Sequence, residues 1–242
     1  MAGNVRVGGV TAAKAGVLVA GGEDIEVAGG PRYVSRGGLK LEQAFSSFPI
    51  DVRGRTVIDA GASTGGFTDC LLQHGARRVI AVDVGYGQLA WKLRQDPRVE
   101  VLERVNIRYL KCDQLSVKPD FATFDLSFIS LRKVLPAVIK CLCSGFAAVA
   151  LVKPEFEAGR GKVGKGGVVR DARVRREVLE AIWDVVTAAG GNVRGLAVSP
   201  VKGPKGNVEY LMYFVDGAGG EMTTAAERRQ MINRLFNKGD DA

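Results

Sequence analysis

Residues 57–67, with the sequence VIDAGASTGGF, decide the fold of this chain. The apolar start predicts a buried strand, and the small residues that follow predict a tight turn into a helix beginning at Phe67. Gly61, Gly65 and Gly66 give the turn conformational freedom and would let a ligand lie against the backbone, with free amides facing a negatively charged group. A purely structural strand-to-helix turn has the same composition, so both interpretations stay open on this stretch alone.

Strand and helix patterns alternate from residue 55 onward. The alternation predicts an α/β protein with a mostly parallel sheet and helices on both faces. Residues 200–206 are too short a connection for a parallel crossover, so the last two strands are expected to pair antiparallel at one edge. The predicted strands are residues 56–60, 78–83, 99–102, 121–125, 146–152, 193–199 and 207–214, and the predicted helices are residues 37–48, 67–74, 88–95, 131–142 and 172–189.

A second carboxylate, Asp83, ends the next predicted strand and indicates the class of ligand. It follows Asp59 at close to the ~20-residue spacing at which a strand-end carboxylate receives ribose hydroxyls. The turn lacks the G-x-G-x-x-G pattern of dinucleotide sites and the Gly-Lys-Ser/Thr of a phosphate-binding loop, which leaves S-adenosylmethionine as the common nucleoside cofactor. Asp59 would contact its ammonium group, directly or through water, or would serve structurally. The candidate cofactor contacts are Asp59, Gly61, Ser63, Thr64, Gly65, Gly66, Phe67 and Asp83.

The composition describes a basic, globular chain. Of its 242 residues, 46% are hydrophobic, enough for the core of one full-sized domain. No apolar run approaches the ~18–20 residues that cross a bilayer, and the start MAGNVRVGG lacks the apolar core of a signal peptide, so a cytoplasmic location is expected. The net charge of +8 favours a polyanionic partner, although many basic proteins bind no nucleic acid.

The cysteines and the single histidine show no metal-site or disulfide pattern. Cys70, Cys112, Cys141 and Cys143 contain no C-x-x-C spacing, which predicts buried reduced thiols, no zinc site and no disulfide. His74 directly precedes a glycine and is expected to end its helix rather than to act in catalysis.

The chain divides into four predicted regions. Residues 1–30 predict a small all-β segment that resembles the second half of an S4-type RNA-binding domain, present either as a truncated domain or as a packed arm. Residues 31–36 form a basic linker, and residues 37–216 form the main domain. Residues 217–242 are expected to form a C-terminal helical extension with Met231, Leu235 and Phe236 on one side.

The first helix of the main domain, residues 37–48, combines an apolar side with one unusual charge. Lys40 lies in the first turn, where the helix dipole favours acidic residues. For this helix taken alone, a solvated lysine is the expectation. The apolar residues that can share one side are Leu39, Leu41, Ala44, Phe45 and Phe48.

Six motifs taken together resemble one protein family. They are YVSRGGLKL at 33–41, DAGASTGGFTD at 59–69, AVDVG at 81–85, FDLSFIS at 124–130, LVKPEFE at 151–157 and NVEYL at 207–211. Over roughly residues 4–215 the chain resembles the TlyA/hemolysin A family, a branch of the FtsJ-like RNA 2′-O-methyltransferases. The resemblance implies a Rossmann-like class I methyltransferase fold, S-adenosylmethionine as donor, and ribosomal RNA or ribosomal subunits as partners. The hemolysin name is unsupported, because the sequence has no membrane-spanning pattern.

The resemblance also implies a catalytic Lys-Asp-Lys-Glu tetrad, formed here by Lys40, Asp125, Lys153 and Glu209. Asp125 and Lys153 end predicted parallel strands and are expected in the crevice beside the glycine turn. Glu209 lies in an otherwise apolar strand, where an exposed edge position is the alternative. Lys153 would accept the proton of a ribose hydroxyl as a neutral amine or steer the oxygen lone pair. Two other functions stay open: a class I methyltransferase for a non-RNA substrate, and a catalytically inactive RNA-binding protein of the same fold.

Residues 154–170 contain five glycines and four basic residues and are expected to be mobile and positive. Directly after Lys153, such a segment suits a lid over an RNA backbone, with a solvated surface loop as the alternative. The candidate RNA contacts are Arg32, Arg36, Arg160, Lys162, Lys165, Lys202 and Lys205.

Overall fold

The structure is a computed structural model that describes residues 5–12, 14, 16–27, 29–218 and 220–236. Near the N-terminus lie the short strands β1 (Val5–Val7), β2 (Val10–Thr11) and β3 (Ile25–Val27), which pair antiparallel in the order β2, β1, β3. Their side chains are exposed or half-exposed, as expected of a segment too short to bury a core. The predicted β segment is present, while the predicted regions 1–30 and 217–242 both extend into residues outside the described part of the chain.

A larger sheet forms the centre of the molecule. Its strands are β4 (Thr56–Ala60), β5 (Arg78–Val82), β6 (Val99–Leu102), β7 (Phe121–Phe124), β8 (Ala147–Val152), β9 (Gly191–Val198) and β10 (Tyr210–Asp216). They lie in the order β6, β5, β4, β7, β8, β10, β9, and the first five of these pair in parallel. The predicted α/β fold with a mostly parallel sheet is confirmed.

The last two strands lie at one edge of this sheet. β10 pairs antiparallel with β8 on one side and β9 on the other, so β9 is the outer strand. The predicted antiparallel pairing of the last two strands at one edge, with an antiparallel edge strand, is confirmed. Leu211, Met212 and Phe214 of β10 are fully buried, which suits a strand with a neighbour on each side and both faces covered.

Helices cover both faces of the large sheet. They are α1 (Gly37–Ser47), α2 (Gly66–Gln73), α3 (Trp91–Arg94), α4 (Leu135–Ile139), α5 (Pro154–Glu157), α6 (Ala172–Ala188) and α7 (Ala225–Phe236). On one face, Leu41 of α1 and Leu71 of α2 belong to the same core cluster as Val57, whereas Ile58 shares a cluster on the other face with Ile182 of α6. This division follows from the strand period of two, which sends successive side chains to opposite faces. No helix in the described part of the chain combines the length and apolar character needed to cross a membrane.

Three helix predictions change in the structure. The predicted helix 88–95 contracts to α3, and the predicted helix 131–142 divides into a 3₁₀ turn, Leu131–Lys133, followed by α4. Pro136 lies in the first turn of α4, the position that a residue without an amide N–H tolerates. In α1, Leu39 is 45% exposed while Lys40 is buried, so Leu39 does not belong to the apolar side.

The cysteines also differ from expectation. Cys112 and Cys141 form a disulfide with their Cα atoms 5.0 Å apart, so the prediction of reduced thiols is wrong for this pair. The two residues are 29 positions apart, and only the packing of α4 against the loop after β6 makes them neighbours. Cys70 is a buried free thiol, and Cys143 is a partly exposed one.

Candidate active site

Three parallel strands end at one crevice of the sheet. β4 leads into Gly61, β7 into Asp125 and β8 into Lys153, because neighbouring parallel strands end at the same side of a sheet. Lys153 Nζ lies 2.7 Å from Asp125 Oδ1 and 2.9 Å from Ser127 Oγ. The structure thus brings Asp125 and Lys153 together, as their strand-end positions predict.

A second lysine–carboxylate pair comes from elements far apart in the sequence. Tyr210 of β10 pairs with Val152 of β8, so Glu209 lies beside Lys153. Lys40, in the first turn of α1, holds its Nζ 2.5 Å from Glu209 Oε2. Lys40 is 9% exposed and Glu209 is 1% exposed, so neither the solvated lysine nor the exposed edge carboxylate is found.

Burial raises the pKa of two carboxyl groups at this site. Loss of hydration raises the pKa of Glu209, while the hydrogen bond and charge of Lys40 act in the opposite direction. The same cause raises the pKa of Glu155, whose Oε2 has no hydrogen-bond partner among the described residues. Both carboxyl groups approach Gly203, where a Cβ would lie 2.8 Å from Glu209 Oε1 and 3.4 Å from Glu155 Oε1. These groups are close enough for the protonation of one to depend on the others.

A cavity of about 350 Å³, the tetrad cavity, opens beside these groups. Its lining contains Lys40, Asp125 and Lys153 together with residues of the glycine turn. Arg36 and Lys202 also line it and add two positive charges. The cavity can therefore receive a hydroxyl group next to a lysine while basic side chains contact an anionic backbone.

A second cavity of about 550 Å³, the Asp83 cavity, adjoins the first. Its volume falls within the ~300–1,000 Å³ of small-molecule sites. Asp83, Gln88 and Asn106 provide polar groups on a lining that is otherwise largely apolar, which fits a nucleoside cofactor. The residues that line both cavities are Gly61, Ser63, Asp125 and Ser127.

The backbone fixes the orientation of the Asp83 carboxylate. Oδ2 accepts a hydrogen bond from the amide of Ser63 at 2.8 Å, and Oδ1 accepts one from the amide of Gly85 at 2.7 Å. Ser63 takes a φ of +48°, an uncommon value for a residue other than glycine, and this bond stabilises it. Each carboxylate oxygen retains a lone pair for the hydroxyls of a ligand.

Asp59 does not face a ligand in this arrangement. It is fully buried, lines neither cavity, and accepts hydrogen bonds from Thr68 Oγ1 at 2.7 Å and Thr123 Oγ1 at 2.9 Å. Burial raises its pKa to about 6, against the lowering effect of the two threonines. The structure favours the structural alternative, in which Asp59 joins α2 to β7.

The glycines of the turn allow other segments of the chain to approach its backbone closely. At Gly61, with φ +89°, a Cβ would lie 2.5 Å from the carbonyl oxygen of Asp125, and at Gly65, with φ +96°, it would lie 2.3 Å from Leu93 Cδ1. The amides of Gly61 and Gly65 donate to Val82 and Ala62, so the expectation of free amides is wrong at both positions. The predicted cofactor contacts that line at least one cavity are Gly61, Ser63, Thr64, Gly66, Phe67 and Asp83.

Three residues of the site were not predicted from the sequence. Ser127 contacts Lys153, and Glu155 lies close to Glu209. Phe128 is 93% exposed with a φ of +64°, and it lines the Asp83 cavity. Ser127 and Phe128 lie within FDLSFIS and Glu155 within LVKPEFE, but nothing in the spacing of these motifs distinguishes them from packing residues.

Two of the seven predicted RNA contacts line the tetrad cavity. Arg36 and Lys202 line the tetrad cavity, whereas Arg32 pairs with Glu42 at 3.1 Å and lines neither cavity. Lys162 forms an exposed ion pair with Glu177. The two remaining lysines of the predicted set, Lys165 and Lys205, are exposed, and the side chain of Arg160 lies outside the described part of the chain.

The segment 154–170 is attached to the domain at both ends. Its first turn is α5, where Glu157 accepts hydrogen bonds from the amide of Leu131 at 2.7 Å and from Ser130 Oγ at 2.6 Å. Near its other end, Asn207 accepts from the amide of Val169 and donates to the carbonyl of Gly167. These bonds fix the two ends of the segment, and the expected mobility of the residues between them stays a prediction.

Comparison with known proteins agrees with this architecture. Residues 33–215 match the model of the FtsJ-like methyltransferase family. The provisionally named rRNA methyltransferase YqxC of Bacillus subtilis is 54% identical over 192 residues, which cover 78% of this chain and 68% of that protein. The 16S/23S rRNA (cytidine-2′-O)-methyltransferase TlyA of Mycobacterium tuberculosis is 47% identical over 215 residues, covering 88% of this chain and 80% of that protein. A solved structure of a provisionally named hemolysin from Streptococcus thermophilus has a TM-score of 0.81 and 42% identity, covering 100% of this chain and 90% of that one.

Proposed function

Because this chain belongs to the FtsJ-like methyltransferase family and S-adenosylmethionine is its methyl donor, we propose that it methylates ribose 2′-hydroxyls of ribosomal RNA. The observation that carries this proposal is the pair of lysine–carboxylate contacts, Lys153–Asp125 and Lys40–Glu209, beside a cavity that shares a wall with the Asp83 cavity. A nucleoside cofactor held by Asp83 and a hydroxyl held by Lys153 would approach each other at that shared wall.

The proposed chemistry uses the tetrad to align a hydroxyl and to take its proton. The cofactor supplies a methyl group on a sulfonium centre that a nucleophile attacks in line. Lys153 Nζ contacts Asp125 and Ser127. As a neutral amine, Lys153 would use its two N–H groups for these contacts and its lone pair to accept the proton of the ribose hydroxyl, becoming an ammonium group as the oxygen takes the methyl group. Lys40 and Glu209 form the second pair and set the electrostatic environment of Lys153.

Two features support RNA as the acceptor. Arg36 and Lys202 line the tetrad cavity and can contact phosphates on either side of the target ribose. The exposed ring of Phe128, 5.3 Å from that of Phe156, offers an aromatic surface for an unstacked base. The Mycobacterium tuberculosis relative is named for cytidine 2′-oxygens of 16S and 23S rRNA, which supports a cytidine ribose as the target.

The test is transfer of labelled methyl groups to ribosomal subunits and ribosomal RNA that lack ribose methylation. We expect label at ribose 2′-oxygens, read as a nucleotide that resists alkaline cleavage on its 3′ side. Lys153→Ala should lower the turnover number at least ~10²–10⁴-fold, the usual contribution of a general base, with donor binding retained. The exposed Lys140→Ala is the matched control and should turn over like the wild type.

Each other outcome points to a different function. Label in protein or in a small molecule would favour a methyltransferase of another substrate class. Donor binding without transfer to any RNA would favour an inactive RNA-binding protein of this fold. Normal turnover by Lys153→Ala would remove Lys153 from the mechanism.

A further inference from the structure

A cluster of potential metal ligands lies outside both cavities, where α1 meets α2. Glu42 of α1, Cys70 of α2 and His74 at the end of α2 each place one ligand atom within 4.8 Å of the other two. Cys70 and His74 are one helical turn apart and therefore share a side of α2. The cluster does not depend on the proposed function, because none of its residues lines the tetrad cavity or the Asp83 cavity.

The contacts of the cluster converge on one oxygen atom. Glu42 Oε2 lies 2.9 Å from His74 Nε2 and 3.8 Å from Cys70 Sγ. The hydroxyl of Tyr33 donates a hydrogen bond to the same oxygen. One carboxylate oxygen thus faces a sulfur, a ring nitrogen and a phenol oxygen.

We propose that Glu42, Cys70 and His74 bind a divalent transition-metal ion of the zinc type. Sulfur, imidazole nitrogen and carboxylate oxygen are the atoms that zinc binds in proteins, at ~2.0–2.3 Å. Ligand atoms within 4.8 Å of one another can converge on a single ion through small side-chain movements. A thiolate and a carboxylate neutralise the two charges of the ion, and binding releases the thiol proton of Cys70 to solvent. The Tyr33 hydroxyl or a water molecule would complete a tetrahedral set.

The surroundings of the cluster suit such a site. The His74 ring stacks on Phe45 with centroids 3.9 Å apart, which fixes its orientation, and Arg32 Nη1 holds the second oxygen of Glu42 at 3.1 Å. Glu42 and His74 are partly exposed, so an ion can enter from solvent, while Cys70 is buried beneath them. A bound ion would join α1, which carries Lys40, to α2, which follows the glycine turn.

Cobalt(II) provides a direct test of the sulfur ligand. Titration of the full chain with Co²⁺, without reductant so that the Cys112–Cys141 disulfide stays closed, should produce a thiolate-to-cobalt charge-transfer band that Zn²⁺ abolishes. Cys70→Ser should lose the band, and Cys143→Ser, which changes the other free thiol, should keep it. Absence of the band in the wild type, or its persistence in Cys70→Ser, would overturn the proposal.

A second measurement separates metal binding from a folding defect. His74→Gln alters a partly exposed side chain and should weaken Co²⁺ binding more than about tenfold in calorimetry, as removal of a ligand requires. Zn²⁺ should raise the Tm of the wild type and leave the Tm of His74→Gln and Glu42→Gln unchanged. Equal Zn²⁺-induced shifts in all three proteins would show that these side chains are not ligands.

Discussion

The two cavities that meet at Gly61 are built in different ways. The Asp83 cavity is lined mainly by the loops that follow four successive strands, β4 to β7. Asp83 itself accepts hydrogen bonds from the amides of Ser63 and Gly85. The tetrad cavity instead depends on Lys40 and Glu209, which are 169 residues apart and meet only through the register of β10. One half of the site is therefore organised by local backbone geometry, and the other by tertiary contacts between buried charges.

This difference determines how each half responds to substitution. A buried ion pair contributes little net stability, yet removal of one partner leaves an uncompensated charge and costs about 3–5 kcal/mol. Asparagine in place of the partly exposed Asp83 would keep one acceptor oxygen and lose one backbone hydrogen bond, which costs about 0.5–1.5 kcal/mol. We therefore expect the largest effects in the tetrad and smaller ones around Asp83.

Glu209→Ala should have the largest effect on stability, because it leaves the Lys40 ammonium buried without a partner. We expect the free energy of unfolding in urea to fall by about 3–5 kcal/mol. The exposed Glu180→Ala on α6 is the control and should stay within about 0.5 kcal/mol of the wild type. The double variant Lys40→Met/Glu209→Leu should regain most of the stability but not the activity. An unchanged urea midpoint for Glu209→Ala would mean that Lys40 reaches water.

The secondary structure near the glycine turn could be predicted because its signals are local. The strand 56–60 and the helix after Gly65 follow from apolar runs and small residues within one short stretch. The strand-end positions of Asp125 and Lys153 predict that both face one crevice, which they do. Assignment of Lys40 and Glu209 to the same group needed the family resemblance, since nothing in their own segments links them.

Other features depend on partners that the sequence does not reveal. Apolar periodicity predicts a buried Leu39 and a solvated Lys40. In the structure Leu39 is exposed, and the distant Glu209 holds Lys40 in a buried ion pair. Asp59 and Asp83 look alike as strand-associated carboxylates, yet one is enclosed by threonines and the other lines a cavity. β10 likewise lies inside the sheet because it pairs with both β8 and β9, and its own sequence does not specify these partners.

Asp59→Asn should test the buried carboxyl group in β4, just before the glycine turn, which lines neither cavity. Burial raises the pKa of Asp59 from 3.8 to about 6, so this carboxyl group stabilises the fold fully below pH 3.8, and the contribution is lost as the pH rises through 6. Relative to Asp59→Asn, the wild type should lose about 2 kcal/mol of unfolding free energy between pH 4 and pH 7. The exposed Asp113→Asn should show no such difference. Parallel stability profiles for Asp59→Asn and the wild type would contradict a raised pKa.

Asp83→Asn should mainly affect the binding of S-adenosylmethionine. Replacement of a charged acceptor weakens its hydrogen bonds by ~1.5–3 kcal/mol, so the Kd for the donor should rise ~10–100-fold. The turnover number at saturating donor should change little, because the tetrad is untouched. Calorimetric titration and initial rates measure the two quantities separately, with Asp113→Asn again as the control. A fall in turnover with an unchanged Kd would show that Asp83 serves the acceptor half.

The smallest effect is expected at the entrance of the tetrad cavity, where Arg36 and Lys202 would contact phosphates. The double variant Arg36→Ala/Lys202→Ala should weaken RNA binding and reduce the slope of log K against log salt by about 1.4–1.8, since each phosphate contact contributes about 0.7–0.9. Lys118→Ala/Lys140→Ala removes two exposed lysines that line neither cavity and should leave the slope unchanged. Filter binding over a salt series measures both variants. If the two double variants lower the slope equally, the RNA is attracted by the overall charge of +8 and not by the entrance of the tetrad cavity. In that case Arg36 and Lys202 have no special role in RNA binding, and the tetrad alone would mark where the acceptor binds.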